Sequence, residues 1–397
     1  MDVIKKNDGV PFLAGREVED PYFFNRVNEL NELKRKIGSK APISIALHGQ
    51  RRIGKSSILR KLKNEFYGSV DIIPIVIKCE KVFPMSTNNF AKLLISHLRH
   101  LTESGDAFSP LNEQEILRKV KQRRLDFEIN IEKDGINKKI KGTSEFSPSF
   151  TLSMDIAFEM IKEIQKSNDS KIVLLMDEFQ ELFTLGDSFL WALRGYMNES
   201  SASFLVSSSD HRFHDYLKSD PDHPFFNFFE MKKILGVRKT DIKIYITERL
   251  DSVNKRINSD GLEYVLKLCE GKPYYIQLLC SKAYDILLRR KENIITKKIL
   301  EESFNEIFLS PPSHITGLFH SIRGQVSQNV FITMCKYDLR TSAQIAEKLE
   351  RITTSSVSQI LKNLEKLHGV IEKMKGSLNK YKVVDSFLKE WIKREYE

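Results

Sequence analysis

Apolar residues recur along this chain with two different periods, and the alternation between them organises it. Over 26–38, Leu30, Leu33 and Ile37 fall on one face of a helix. Short apolar segments at 43–48 and 72–78 read as strands. Phe90, Leu93, Leu94 and Leu98 restore the helical period over about 87–102. A helix at about 151–167 leads into Ile172-Val173-Leu174-Leu175-Met176, another buried strand. After a helix at about 187–199, Ser203-Phe204-Leu205-Val206-Ser207-Ser208-Ser209 reads as the next. Strands alternating with helices predict an α/β fold with a doubly wound parallel sheet.

Between residues 125 and 140 the period changes. Leu125, Phe127, Ile129 and Ile131 alternate with polar residues, Asp134-Gly135 marks a turn, and Ile136 and Ile140 continue. This predicts a β-hairpin. Its basic neighbours Arg118, Lys119, Lys121, Arg123, Arg124, Lys138, Lys139 and Lys141 read as a solvated face. Residues 241–309 are helical in period and are broken at Gly271-Lys272-Pro273-Tyr274-Tyr275, where a proline opens a helix. Pro311-Pro312 marks a linker. Beyond it, helices at 328–337, 343–349 and 354–367 precede two short strands around the Lys375-Gly376-Ser377 turn. A helix-turn-helix followed by a hairpin is a winged helix.

The candidate chemistry lies in the first of these blocks. The apolar run at 43–48 ends at Gly49, and Gln50, Arg51, Arg52, Ile53, Gly54, Lys55, Ser56 and Ser57 follow. Strand, glycine loop and helix start together form the phosphate-binding P-loop, which implies a nucleoside triphosphate with Mg²⁺. Backbone N–H groups of the loop and helix start would cradle phosphate oxygens. Lys55 would bridge the β- and γ-phosphates, and the Ser56 hydroxyl would ligate Mg²⁺. At the end of the 172–176 run, Asp177 is a second metal ligand and Glu178 a general base for an attacking water. Ser207 or Ser208, at the end of the next strand, is placed to orient that water or to sense the γ-phosphate. The resulting division is a P-loop core that binds a nucleoside triphosphate over 1–238, a helical lid over 239–312 and a winged helix-turn-helix over 313–397.

Charge adds a partner to this picture. The net charge is +10 and the pI near 9.1, a balance that favours polyanions. Over 351–382 seven basic residues stand against two acidic ones, Glu365 and Glu372. Lys362 and Lys366 on the second helix, with Lys373, Lys375 and Lys380 around the wing, would meet DNA phosphates. Ser355, Ser356, Ser358 and Gln359 would face base edges from the helix start. Four scattered cysteines form no CxxC pair, which argues against structural zinc and for a reducing, cytoplasmic setting. No apolar stretch is long enough to span a bilayer, so no membrane partner is expected.

These motifs resemble the archaeal ATPase family, a branch of P-loop ATPases near AAA+ and STAND proteins, over nearly the whole chain. The carriers are Phe23-Phe24-Asn25-Arg26-Val27-Asn28-Glu29-Leu30, the loop from Gly49 to Lys55, the Asp177-Glu178-Phe179-Gln180 box and the Gly271–Tyr275 motif. The resemblance implies ATP as the nucleotide, and it places Arg26 and Pro273 beside the adenine. Some relatives carry an arginine after the strand-end serines; here Pro224-Phe225-Phe226-Asn227-Phe228 has none, which leaves Arg194, Arg212 and Arg238 as candidate substitutes. The resulting expectation is an AAA+-like switch that binds and slowly hydrolyses ATP and reports its nucleotide state through a DNA-binding winged helix. Two rivals use the same residues. One is a STAND-type signalling or defence ATPase whose winged helix docks protein or a second copy. The other is a scaffold that binds ATP without hydrolysing it.

Overall fold

The computed structural model describes residues 10–15, 18–69, 71–82, 85–103, 112–133, 148–210, 212–374, 376–377 and 379–396. The chain divides into two compact units. The sheet unit comprises Arg26–Arg51 and Lys55–Ile234; the C-terminal unit comprises Met1–Asn25, Arg52–Gly54 and Leu235–Glu397.

The sheet unit opens with α1 (Val27–Ile37), which buries Leu30, Leu33 and Ile37. It continues through β1 (Ser44–His48), α2 (Lys55–Phe66), β2 (Ile72–Lys78), α3 (Thr87–Glu103), α4 (Glu113–Lys133), α5 (Pro148–Asn168) and β3 (Lys171–Asp177). Then come α6 (Asp187–Glu199), β4 (Ser203–Ser208), α7 (Phe213–Lys218) and β5 (Glu230–Lys233). The five strands form one parallel sheet in the order β2-β3-β4-β1-β5. Every residue of β4, and all of β3 after Lys171, is buried. That burial on both faces is why these strands read as unbroken apolar runs. Register fixes what meets at the carboxyl edge: Met176 pairs with Val206, and His48 pairs with both Ser208 and Lys233. The start of the glycine loop, Asp177 and the strand-end serines therefore share one edge.

The expected hairpin is corrected. Residues 125–133 continue α4, which starts after Asn112, whose side chain accepts from the Glu115 N–H at 3.1 Å. Leu125 and Ile129, like Phe127 and Ile131, are also spaced by four, so the same apolar positions fit a helical period, and Gln122, Arg123 and Arg124 just before them are good helix formers. The rest of the expected hairpin, 134–140, lies outside the described residues, with Lys138, Lys139 and Lys141. The edge strand β5 carries no apolar run, being Glu-Met-Lys-Lys, and it gave no periodic signal.

From Leu235 onward the C-terminal unit runs through α8 (Lys239–Asp251), β6 (Arg256–Ile257), α9 (Ser259–Cys269), α10 (Pro273–Arg290), β7 (Ile294–Ile295) and α11 (Lys297–Leu309). Where helices alone were expected, β6 and β7 pair in parallel. Each ends on an N-cap, Asn258 and Thr296, whose side chains accept from Gly261 and Ile299 N–H groups. Next are α12 (Ser313–His320), α13 (Gln325–Lys336), α14 (Ser342–Leu349), α15 (Thr354–Asn363), β8 (Ile371–Lys373), β9 (Tyr381–Val383) and α16 (Ser386–Glu395). Thr341 and Gln344 close a capping box on α14, and Thr353 caps α15. The strands β8 and β9 pair antiparallel. Helix-turn-helix plus hairpin thus has the element order of a winged helix.

One carboxylate knits this unit together. Asp385 Oδ2 accepts from Lys272 Nζ at 3.1 Å and from the Tyr275 hydroxyl at 2.6 Å, while Oδ1 caps α16 at the Leu388 N–H. Tyr275 stacks on Phe387, with centroids 4.0 Å apart and planes 7° from parallel. Burial pushes the Tyr275 phenol well above its usual value, and the Asp385 carboxylate adds to the shift. The apolar core is continuous from Val237 to Ile392.

Candidate active site

The site is built first on the glycine loop. Gly54 has φ +98°, a conformation that an L side chain rarely adopts. Lys55 opens α2 and is buried, 5% exposed. Its Nζ donates to the Gly49 carbonyl at 2.8 Å and the Gln50 carbonyl at 2.9 Å. Burial pulls this ammonium down to about 8; Glu178 and Asp177 pull the other way, and Arg51 adds to the fall. Ser56 and Ser57 are half-buried on the first turn of α2, while Gln50 and Arg51 are exposed. Ile53 is buried, and Arg52 lies over the Tyr274 ring at 4.2 Å, with its guanidinium 3.4 Å from His314 Nδ1. His48, one residue before the loop, is held down to about 4 by burial, then by His214, Lys233 and Lys55.

The acidic pair stands at the end of β3. Asp177 is buried, and its Oδ1 accepts from the Ser207 hydroxyl and from the Glu178 N–H at 3.2 Å. Glu178 takes the left-handed conformation, φ 52° and ψ 47°, where the strand turns into the next helical segment. Its Oε2 accepts from Gln180 Nε2 at 2.6 Å and from the Ser209 hydroxyl at 2.7 Å.

The three serines thus divide their work. Ser207 sits on Asp177, Ser208 accepts from the Asp210 N–H at 3.2 Å, and Ser209 sits on Glu178. Reasoning from the sequence singled out Ser207 and Ser208 but passed over Ser209 and Gln180. A signal was present: Ser209 follows Ser207 by two, and alternate residues of an extended strand point the same way.

The remaining predicted residues are dispersed. Arg26 is buried in the sheet unit with its guanidinium on Glu29 at 2.9 Å. Pro273 is the first residue of α10 in the C-terminal unit, and its Cγ would lie 3.8 Å from a Cβ placed on Gly54. Arg194 bonds the Pro224 carbonyl, Arg212 pairs with Asp210 at 2.9 Å, and Arg238 with Asp241 at 2.7 Å. On α15 and the segment after it, Ser355, Ser356, Gln359, Lys362 and Lys366 are exposed, and Ser358 is half-buried. Lys373 and Lys380 are exposed beside the hairpin, the former 3.9 Å from Glu365; Lys375 lies outside the described residues.

Residues 23–279 match the model of a family described as an ATPase domain predominantly from Archaea. That span holds the glycine loop, the acidic pair, the strand-end serines and Pro273. No curated relative matches the sequence. Among solved structures, a Walker-type ATPase of Pyrococcus abyssi is 18% identical, covers 96% of this chain and 99% of its own, and has a TM-score of 0.63. The ORC2 protein of Aeropyrum pernix, in ADPNP–ADP complexes, is 11% identical over 97% and 99%, with a TM-score of 0.58. Its ADP form gives 10% over 96% and 97%, with a TM-score of 0.52. At such identities the likeness is one of fold, the α/β P-loop fold described above. Among the described residues no helix is long and apolar enough to cross a membrane. With well over half of its length matched and the phosphate loop and acidic pair inside the match, the chain belongs to the nucleotide-binding ATPase family found predominantly in Archaea.

Proposed function

We propose that this protein is a switch that binds ATP with Mg²⁺, hydrolyses it slowly to ADP and phosphate, and couples nucleotide state to a DNA-binding winged helix. In this reading residues 1–238 form the ATPase core, 239–312 the lid and 313–397 the winged helix. The observation that carries it is the gathering at one sheet edge of the buried Lys55 and Asp177 with the half-buried Glu178. ATP as the nucleotide is supported by the ADPNP and ADP held by the Aeropyrum pernix neighbour.

The chemistry would run as in-line attack of water on the γ-phosphate. Glu178 takes the water proton, and Lys55 balances charge on the γ-oxygens as the bond to ADP breaks. Ser56 and Asp177 fit a magnesium ion, because a hydroxyl and a carboxylate are hard oxygen donors that leave the remaining coordination to water and phosphate. When bound, Mg²⁺ would supply neutralisation of phosphate charge. The slow rate is supported by the local engagement of Arg194, Arg212 and Arg238. A DNA partner is supported by the exposed Lys362, Lys366, Lys373 and Lys380.

Two substitutions test the ATPase reading together. Lys55→Ala should abolish measurable ATP binding while the fold survives, since the buried cation of the phosphate loop is lost. Glu178→Gln should keep ATP affinity and lower single-turnover hydrolysis by roughly 10²–10⁴-fold, the usual worth of a general base. Parent affinity in the first variant would sink the phosphate-loop assignment, and parent turnover in the second would sink the base.

A further inference from the structure

Glu178 is more tightly governed than a side chain at the end of a strand needs to be. Its left-handed backbone turns it out of β3. Both hydrogen bonds to its carboxylate end on the same oxygen: Gln180 Nε2 at 2.6 Å and Ser209 Oγ at 2.7 Å both reach Oε2. Among the described residues nothing donates to Oε1. The Gln180 amide has one possible orientation, because its NH₂ faces two carboxylates, Glu178 at 2.6 Å and Glu181 at 3.4 Å. Its own Oε1 is buried without a hydrogen-bond partner. A side chain kept for packing alone would not leave a buried carbonyl unmatched. The arrangement makes sense when the NH₂ is what matters.

We propose that Gln180 and Ser209 are positioning residues of the hydrolytic step, holding Glu178 by one oxygen so that the other faces the attacking water. This rests on the reading of Glu178 as the base. Gln180 fixes the carboxylate from the segment that follows β3, and Ser209 fixes it from the end of β4, so neither rotation of the carboxylate nor drift of the loop frees it. A misplaced base loses rate without loss of substrate affinity.

The test is a set of single-turnover measurements on the full-length protein with Mg-ATP, beside ATP binding by calorimetry and thermal unfolding. Gln180→Leu keeps most of the volume, removes the donor and also removes the orphaned carbonyl. The expected result is hydrolysis slowed on the order of 10- to 100-fold, with ATP affinity unchanged and a thermal midpoint unchanged or raised. Ser209→Ala should slow hydrolysis in the same way, and it carries the test should the leucine variant fail to fold. In a Glu178→Gln background neither change should slow the reaction further, because residues acting through one group are not additive. Parent turnover in both single variants, with Glu178→Gln inactive, would overturn the positioning role alone. An equal further loss in the Glu178→Gln background would overturn it too, since the residues would then act elsewhere. Parent turnover in Glu178→Gln would remove the base itself, and the positioning role with it.

Discussion

Lys55 shows how far a single residue constrains behaviour. Held between two loop carbonyls and pulled down to about 8 by burial, it carries its charge below that pH before nucleotide arrives. Above it, a triphosphate must draw in a proton as it binds. ATP affinity is therefore expected to fall as pH rises above about 8, by up to about tenfold per unit. Calorimetry in buffers of different ionisation heat would read the proton directly, and affinity flat to about pH 9.5 would refute this account of the loop. The same shift acts on stability with a definite sign. The unfolded chain holds the proton more tightly than the folded one, so the nucleotide-free protein gains stability as pH rises from about 8 toward the ordinary 10.5. The loop, Asp177 and Glu178 were legible because phosphate and metal chemistry demand particular residue types at fixed spacing. Ser209 was legible only as the alternate of Ser207, because its hydrogen bond to Glu178 spans 31 positions, and Gln180 only as part of the Asp177–Gln180 motif, since sequence does not say which oxygen its amide meets.

Among the elements, those with a strong hydrophobic period were legible nearly to the residue. The strand expected at 72–78 is β2, and the helix expected at 187–199 is α6. Elements held by context were not: β5 is strand because it pairs with β1, and α4 continues where alternation suggested a hairpin. The proposed DNA surface is a test at this scale. The helix α15 presents Ser355, Ser356 and Gln359 on its exposed side, and Lys362, Lys366 and Lys380 are exposed around it. Short hydroxyls discriminate bases weakly, so binding should be sequence-tolerant and salt-dependent. Each phosphate contact contributes about 0.9 to the slope of log affinity against log salt. The double variant Lys362→Ala/Lys380→Ala of the full chain should flatten that slope by up to about 1.8 on two unrelated duplexes alike. A slope that the substitutions leave untouched, or no binding at low salt, would favour protein docking.

Across the whole molecule, the Asp385 carboxylate carries weight out of proportion to its size. It faces a lysine from the Gly271–Tyr275 motif and caps the last helix, and both partners of the ion pair are buried. Removing one side of a buried pair strands the other, so Asp385→Ala should lower the stability of the full chain by about 3–5 kcal/mol in chemical denaturation. Lys272→Met combined with Asp385→Leu should recover most of that loss. Pro311-Pro312 breaks the chain, but the apolar core runs past it, from Ile307 to Ile315 and Phe319, and Phe387 keeps its largest stacking partner in Tyr275. That has a bearing on how such a protein can be taken apart and recombined. A fragment that begins after the prolines would leave Tyr275 and Lys272 behind and present Phe387 to water. Transplanted onto another ATPase, the last helices would find no partner for Asp385 unless the host offered a buried lysine and an aromatic ring at the same place. The portable module is therefore the longer piece that starts near Leu235 taken with the segment around Phe12, which is buried in the same core and whose neighbours bond Arg249 and Gln277, and gene fusions or deletions that keep both are the ones expected to yield folded protein.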